Sequence, residues 1–153
     1  MKIQLLWVGK TQEEWVRRGI DEYAGRIRRY VPLEVAEARE EKGAVAAAMR
    51  DREGERLAKL VPRNARLVLL DERGEEMTSP GFAEFLARCR DGGVADLVFA
   101  IGGAYGFSES LRARADRTIA LSRMTFTHQM VRLFLLEQIY RGYTIINNEP
   151  YHH

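Results

Sequence analysis

Apolar and polar positions follow two alternating rhythms along this chain. Lys2 to Val8 is an apolar run rich in β-formers, and Thr11 to Tyr30 carries helical spacing opened by a Thr11-x-x-Glu14 capping box. The alternation then repeats. Leu33 to Ala38 reads as a strand, Ala44 to Leu60 as an Ala-rich helix with exposed charges, and Arg66 to Asp71 as a buried strand built on Leu67-Val68-Leu69-Leu70. Ser79-Pro80 supplies an N-cap and a proline at the first helical position, so a helix is expected to about Arg90, where Gly92-Gly93 ends it. Ala95 to Ile101 is a further buried strand, followed by a glycine-rich loop, a short helix from Ser108 and a short strand at Thr118 to Leu121. A last helix spans roughly Thr127 to Tyr143.

Such alternation predicts an α/β fold, a mostly parallel sheet with helices on both faces, and one domain over residues 1–153. The last helix departs from the pattern of a surface helix. Its apolar residues, Met130, Val131, Leu133, Phe134, Leu135, Leu136, Ile139 and Tyr140, surround the whole circumference instead of forming one stripe. Burial on two sides is expected, with a second subunit as the other side.

Composition narrows the function classes. The 153 residues are 46% hydrophobic and 30% charged, an ordinary balance for one compact core. No apolar stretch approaches the roughly 18 residues of a membrane-spanning helix, and Met1-Lys2-Ile3-Gln4 lacks the apolar run of a secretory signal. Cys89 is the only cysteine, which excludes an intrachain disulfide and a Cys-rich metal site, so a cytoplasmic location is expected. A net charge of +2 is too small to argue for nucleic acid. Its distribution is uneven: residues 112–153 hold six Arg against Asp116, Glu137 and Glu149, together with His128, His152 and His153.

Three stretches could carry chemistry. Val98 to Ser108 runs from a buried strand through Gly102, Gly103 and Gly106 into a helix start. Glycines there let a ligand approach bare backbone at the carboxyl end of a sheet, although a structural turn has the same composition. The spacing does not meet the dinucleotide pattern, and the Gly-Lys-Ser/Thr of a P-loop is missing. The second stretch, Leu121 to Gln129, passes from a strand end into the last helix through hydroxyl residues that can cap it. The third, Asn147 to His153, is a polar, aromatic, proline-stiffened tail of a kind that is usually frayed. Neither zinc-protease His spacing nor a G-x-S-x-G elbow is present, and Cys89 sits on a helix where a thiol is usually a packing residue.

Taken in order, the blocks Leu5-x-x-Val8-Gly9-Lys10, Ile101-Gly102-Gly103-x-x-Gly106, Leu121-Ser122-x-Met124-Thr125-x-x-His128-Gln129-x-x-Arg132, Glu137-Gln138-x-Tyr140-Arg141 and Pro150-Tyr151-His152 resemble the ribosomal RNA large subunit methyltransferase H family of SPOUT enzymes. The likeness covers nearly the whole chain. It implies S-adenosylmethionine as methyl donor, N3 of a pseudouridine in 23S ribosomal RNA within the ribosome as acceptor, a homodimer, no metal, and a C-terminal trefoil knot, one of the rare exceptions to unknotted topology. It also implies cofactor contacts at Leu70, Gly102, Gly103, Leu121, Ser122, Arg123, Met124, Thr125 and Phe126. For handling the N3 proton or its anion the candidates are His152, His128 and Arg132, with Tyr151 as a stacking or hydrogen-bonding partner. Two other readings stand beside it: a nucleotide-binding oxidoreductase on a doubly wound sheet, and a basic-tailed ribosome-binding protein without activity.

Overall fold

Two strands whose residues are apolar on both faces have to lie inside a sheet, covered above and below. In the computed structural model, which describes residues 1–153, they do. The ten elements are β1 (Lys2–Val8), α1 (Glu14–Ile27), β2 (Leu33–Ala38), α2 (Ala46–Leu60), β3 (Arg66–Glu76), α3 (Ser79–Asp91), β4 (Asp96–Ile101), α4 (Glu109–Arg114), β5 (Arg117–Ala120) and α5 (His128–Ile146). The sheet order is β2-β1-β4-β3-β5 and every pairing is parallel. β4, in the centre, is buried from Leu97 to Ile101.

Alternate strand residues divide the core into two layers. Ile3, Leu5, Trp7, Val68, Leu97 and Phe99 pack with α1, α3 and α5, whereas Leu6, Leu67, Leu69, Val98 and Ala100 pack with Leu57 of α2 and Leu111 of α4. The first layer is the larger.

Several local expectations are corrected. Thr11 does not cap α1; the N-cap is Glu13 and makes no side-chain bond, because Oγ1 of Thr11 accepts instead from buried Arg132 at 2.9 Å. The cap of α3 is Thr78, one residue before the expected Ser79, and its side chain accepts from the Gly81 N–H. β3 continues to Glu76 beyond a register shift between Leu70 and Glu75, forming an arm that pairs with β5. That extension is Asp-Glu-Arg-Gly-Glu-Glu, which has no strand pattern to read.

The apolar circumference of α5 also has a different cause from the expected one. The helix lies against both α1 and α3 of its own chain, with Leu133 filling the space over Gly19, and Leu86 and Ala83 lying over Gly142. Leu135, Leu136 and Ile139 are fully buried without a second subunit, and Phe134 alone on this helix is a large exposed hydrophobic.

Candidate active site

The carboxyl ends of parallel strands are where an open α/β sheet binds its ligands. Here the ends of β4 and β5, with the point at Leu70 where β3 leaves its pairing with β4, border a cavity of about 600 Å³. Three chain-distant segments converge on it: Leu70 to Arg73, Ile101 to Phe107, and Leu121 to Phe126 without Arg123, joined by His128 and Val131 at the start of α5. Of the residues singled out in the sequence, Leu70, Gly102, Gly103, Leu121, Ser122, Met124, Thr125, Phe126 and His128 line this cavity. Arg123 does not; its side chain is 88% exposed and pairs with Glu76 of the β3 arm.

Local chemistry shapes each wall. In the glycine loop only Gly106 has the positive φ, +81°, that favours glycine. Gly102 and Gly103 are small for another reason: a Cβ on Gly102 would stand 3.2 Å from the Gly106 backbone, and one on Gly103 would stand 2.7 Å from Oε1 of Glu53. Close packing on α2 thus gives Gly103 a reason to lack a side chain in addition to its place in the cavity wall. Glu53 is itself buried, its Oε2 accepting from the Glu41 N–H at 3.1 Å, and burial pushes its carboxyl upward. The β5–α5 segment is pinned by Ser122, whose hydroxyl accepts from the Met124 N–H, by Thr125, which bonds Glu72, and by Thr127, the N-cap of α5.

Charge lines the rim. Asp71 accepts from Arg112 at 2.6 Å and from the Arg73 N–H at 2.9 Å. Burial alone would push Asp71 up, but these two partners outweigh it and hold the carboxyl below its ordinary value. His128 is lowered, first by burial and then by the charge of Arg132, so its ring favours the neutral form.

Arg132 is wholly buried and is not among the cavity-lining residues. It donates to the Val8 carbonyl at 2.6 Å and to Thr11, and lies over the Trp7 ring at 4.9 Å. Burial pulls it down to about 10, opposed by Glu37 and Glu40, so it remains charged at neutral pH.

The tail is ordered rather than frayed, and it is packed away from the cavity. Tyr151 meets the Tyr140 ring edge-on at 4.7 Å, lies under the Arg141 guanidinium, donates to Glu137 at 3.0 Å and is 3.4 Å from the Tyr23 hydroxyl. Burial first, then the bonds to Tyr23 and Glu137, push its phenol up, so it is protonated at neutral pH. Nδ1 of His152 is 3.1 Å from Arg141. A guanidinium only donates, so Nδ1 accepts and the neutral ring carries its proton on Nε2. Arg141 was missed as a member of this group in the sequence, although its place in the Glu137-Gln138-x-Tyr140-Arg141 block was the available signal.

Elsewhere, no group of three or more His, Cys, Asp or Glu side chains is arranged to hold a metal ion, and no helix is long and apolar enough to cross a membrane. The Cys89 thiol is buried and raised by that burial.

Known proteins share this chain's sequence from end to end. A family described as "Predicted SPOUT methyltransferase" matches residues 1–152. Ribosomal RNA large subunit methyltransferase H of Geotalea uraniireducens (strain Rf4) is 78% identical over all of both chains, and that of Geobacter metallireducens (strain ATCC 53774 / DSM 7210 / GS-15) is 74% identical over all of this chain and 99% of its own. Among solved structures, a probable methylase family protein from Haemophilus influenzae Rd KW20 superposes with a TM-score of 0.56 at 9% identity, covering 99% of this chain and 70% of the other, a likeness of fold alone.

Proposed function

The chain belongs to the SPOUT methyltransferase family, within it to the ribosomal RNA large subunit methyltransferase H group, and on that premise we propose that it transfers a methyl group from S-adenosylmethionine to N3 of a pseudouridine in 23S ribosomal RNA. The observation that carries the donor half is the convergence of the Leu70, Gly102–Gly103 and Leu121–Phe126 segments on one cavity. Its volume suits a nucleoside-sized ligand. Its walls suit one too: Leu70, Ile101, Leu121 and Phe126 offer apolar surface, and the glycine loop and the Ser122 to Thr125 turn offer polar groups.

When bound, the donor supplies an activated methyl on sulfur, so the protein's task is alignment and exclusion of water. The acceptor N3 lies between two carbonyls and loses its proton to solvent water as the methyl is transferred, which spreads negative charge over both oxygens. His152 of the tail and Arg141 of α5 carry donors suited to that charge, the Nε2–H of the one and the remaining guanidinium N–H groups of the other, while Tyr151 gives its proton to Glu137 and packs under Arg141. A phenol held protonated does not act as base, and His152 in this tautomer donates through Nε2. The reading therefore assigns these residues to stabilising the anion, with Arg132 holding the β1–α5 junction in place.

A homodimer follows from the same reading, because a tail packed against α1 and α5 of its own chain serves a cavity only by reaching a second copy. The exposed edge-to-face pair Phe126 and Phe134 supports it, beside a groove of about 270 Å³ that also includes Met77 and Phe82. The trefoil knot is supported by the 121–127 connection, tied to the β3 arm through Thr125–Glu72 and Arg123–Glu76, before α5 returns between α1 and α3. The cytoplasm, where ribosomes are, is the corresponding location.

Calorimetry with S-adenosylhomocysteine and NAD, paired with transfer of labelled methyl to ribosomes, isolated subunits and free RNA, tests the assignment. Binding of S-adenosylhomocysteine together with methyl transfer is expected. Binding of NAD in its place would establish the oxidoreductase, and absence of methyl transfer to every RNA form would leave only a ribosome-binding protein.

A further inference from the structure

Part of the cavity wall lies outside the three segments that meet the donor. Arg50 of α2 and Glu109 of α4 both line the cavity, from the helices that cover the smaller core layer. Their neighbourhood is forced by packing. Gly54, one turn after Arg50, has no room for a Cβ against the Ser108 side chain, and Ser108 immediately precedes Glu109.

Neither charge is hydrogen-bonded, and Arg50 has only a loose ion pair with its neighbour Asp51. Nε of Arg50 is buried with no hydrogen bond, and Oδ1 of Asp51 stands 3.8 Å from it, beyond hydrogen-bond reach. The other ion pairs of the rim run elsewhere, Asp71 with Arg112 and Arg73 and Glu76 with Arg123, and leave Glu109 unpaired. No hydrogen bond engages the Arg50 guanidinium, so the Nη groups it presents at the cavity wall are free to donate to a ligand anion. Two side chains of opposite sign that share a cavity without pairing to each other match a ligand that bears both signs.

We infer that Arg50 and Glu109 form a zwitterion site for the amino-acid end of the methyl donor, Arg50 taking its carboxylate and Glu109 its ammonium. The inference rests on the methyl-donor reading above. A planar guanidinium edge accommodates a carboxylate through two parallel N–H bonds, which Lys cannot reproduce. Glu109 accepts from the ammonium, so the pair selects for an intact α-amino acid rather than for a nucleoside alone.

The experiment compares two ligands by calorimetry: S-adenosylhomocysteine, which carries the zwitterionic end, and 5′-methylthioadenosine, which lacks it. Arg50→Met and Glu109→Gln are expected to weaken the first roughly ten- to hundredfold, the range of one charge-assisted hydrogen bond. Affinity for methylthioadenosine is expected to stay at the parent's value, which also reports that each variant is folded. Arg50→Lys, keeping the charge but not the fork, is expected to fall between parent and Arg50→Met. Equal weakening of both ligands would make the two residues supports of the wall and overturn the site. Unchanged affinity for both, with methyl transfer to ribosomes lost, would assign the guanidinium to an RNA phosphate and overturn it equally. A parent protein that binds neither ligand would refute the methyl-donor reading itself, an outcome distinct from any failure of the variants.

Discussion

At its first turn α5 presents His128 and Val131 to the cavity, where the surroundings are bare backbone, hydroxyls and the Asp71–Arg112 pair. Arg141, roughly 20 Å further along the same helix at about 1.5 Å per residue, stands in an aromatic cluster with Tyr23, Tyr140 and Tyr151 and grips the tail. One end is open and hydroxyl-rich; the other is closed by tilted and edge-on rings. Closeness in sequence between the Leu121–Phe126 segment and the Pro150–His152 block does not put them in one wall: no residue of the block lines the cavity, and Tyr151 is held by Glu137 of α5. A tail that carries donors yet lines no part of the cavity in its own chain is what the proposed two-copy site would join.

The largest effect that would break or sharpen this contrast comes from removing one end. Deleting Tyr151 to His153 is expected to leave affinity for S-adenosylhomocysteine near normal and to reduce methyl transfer to ribosomes by about a hundredfold or more, the scale of lost positioning. Mixing the deleted chain with a Ser122→Trp chain, whose cavity is filled, is expected to restore part of the activity, since one copy of each kind supplies an intact cavity and an intact tail. No restoration would confine tail and cavity to the same copy. Joint loss of affinity and transfer would make the tail a support of the cavity.

Two adjacent residues on α5 separate the proposed subunit contact from the core. Phe134 is 36% exposed and meets Phe126 at 5.1 Å, whereas Leu135 is fully buried. Phe134→Glu is expected to give a folded monomer with little methyl transfer, read by light scattering and a ribosome assay. Leu135→Glu places a charge in the core and is expected to lower stability by about 3–5 kcal/mol whatever the oligomeric state. An active monomeric Phe134→Glu protein would refute the requirement for two copies.

Strand and helix order was legible because Leu67–Leu70 and Ala95–Ile101 are apolar runs bounded by turn residues, and that pattern needs no tertiary context. The cavity was largely legible for the same reason: strand ends can be placed once strands are, and Gly102 and Leu121 each follow one while Leu70 is the last β3 residue paired with β4. What stayed hidden was set by side chains distant in sequence. Thr11 looks like a cap until Arg132, more than a hundred residues away, claims its hydroxyl. Gly103 can be placed at a strand end, but Glu53 packed behind it cannot be read from the sequence. The wrap-around apolar face of α5 has the same sequence signature whether α1 and α3 or another subunit covers it.

Arg132 tests how the cavity end is held. Its guanidinium satisfies the Val8 carbonyl and Thr11 with no carboxylate bonded to it. Arg132→Met keeps most of the volume and is expected to cost about 2–4 kcal/mol, from two acceptors left without donors and imperfect packing on Trp7. Urea unfolding reads the loss. A midpoint equal to the parent's would show the buried charge to be dispensable and return Arg132 to the list of groups acting on the acceptor.

The smallest effect is a titration. His128 is held below its ordinary value of about 6.5, first by burial and then by Arg132. In the window between that lowered value and about 6.5 the unfolded chain binds a proton that the folded chain does not, so stability falls as pH drops through the window and is fully present above it. Asp71, lowered by its arginine and backbone partners, loses its contribution only under stronger acid, as pH falls below about 3.9, so the two groups separate. Urea midpoints measured at about pH 5.5 and 7.5 are expected to differ in the parent and to converge in His128→Gln. Combining His128 with Arg132→Met removes the neighbouring charge and is expected to narrow the gap, although burial, the larger cause, remains. A parent whose midpoint does not change between the two values would place the His128 ring in solvent, and the cavity end of α5 would then be no more sheltered than an exposed helix start.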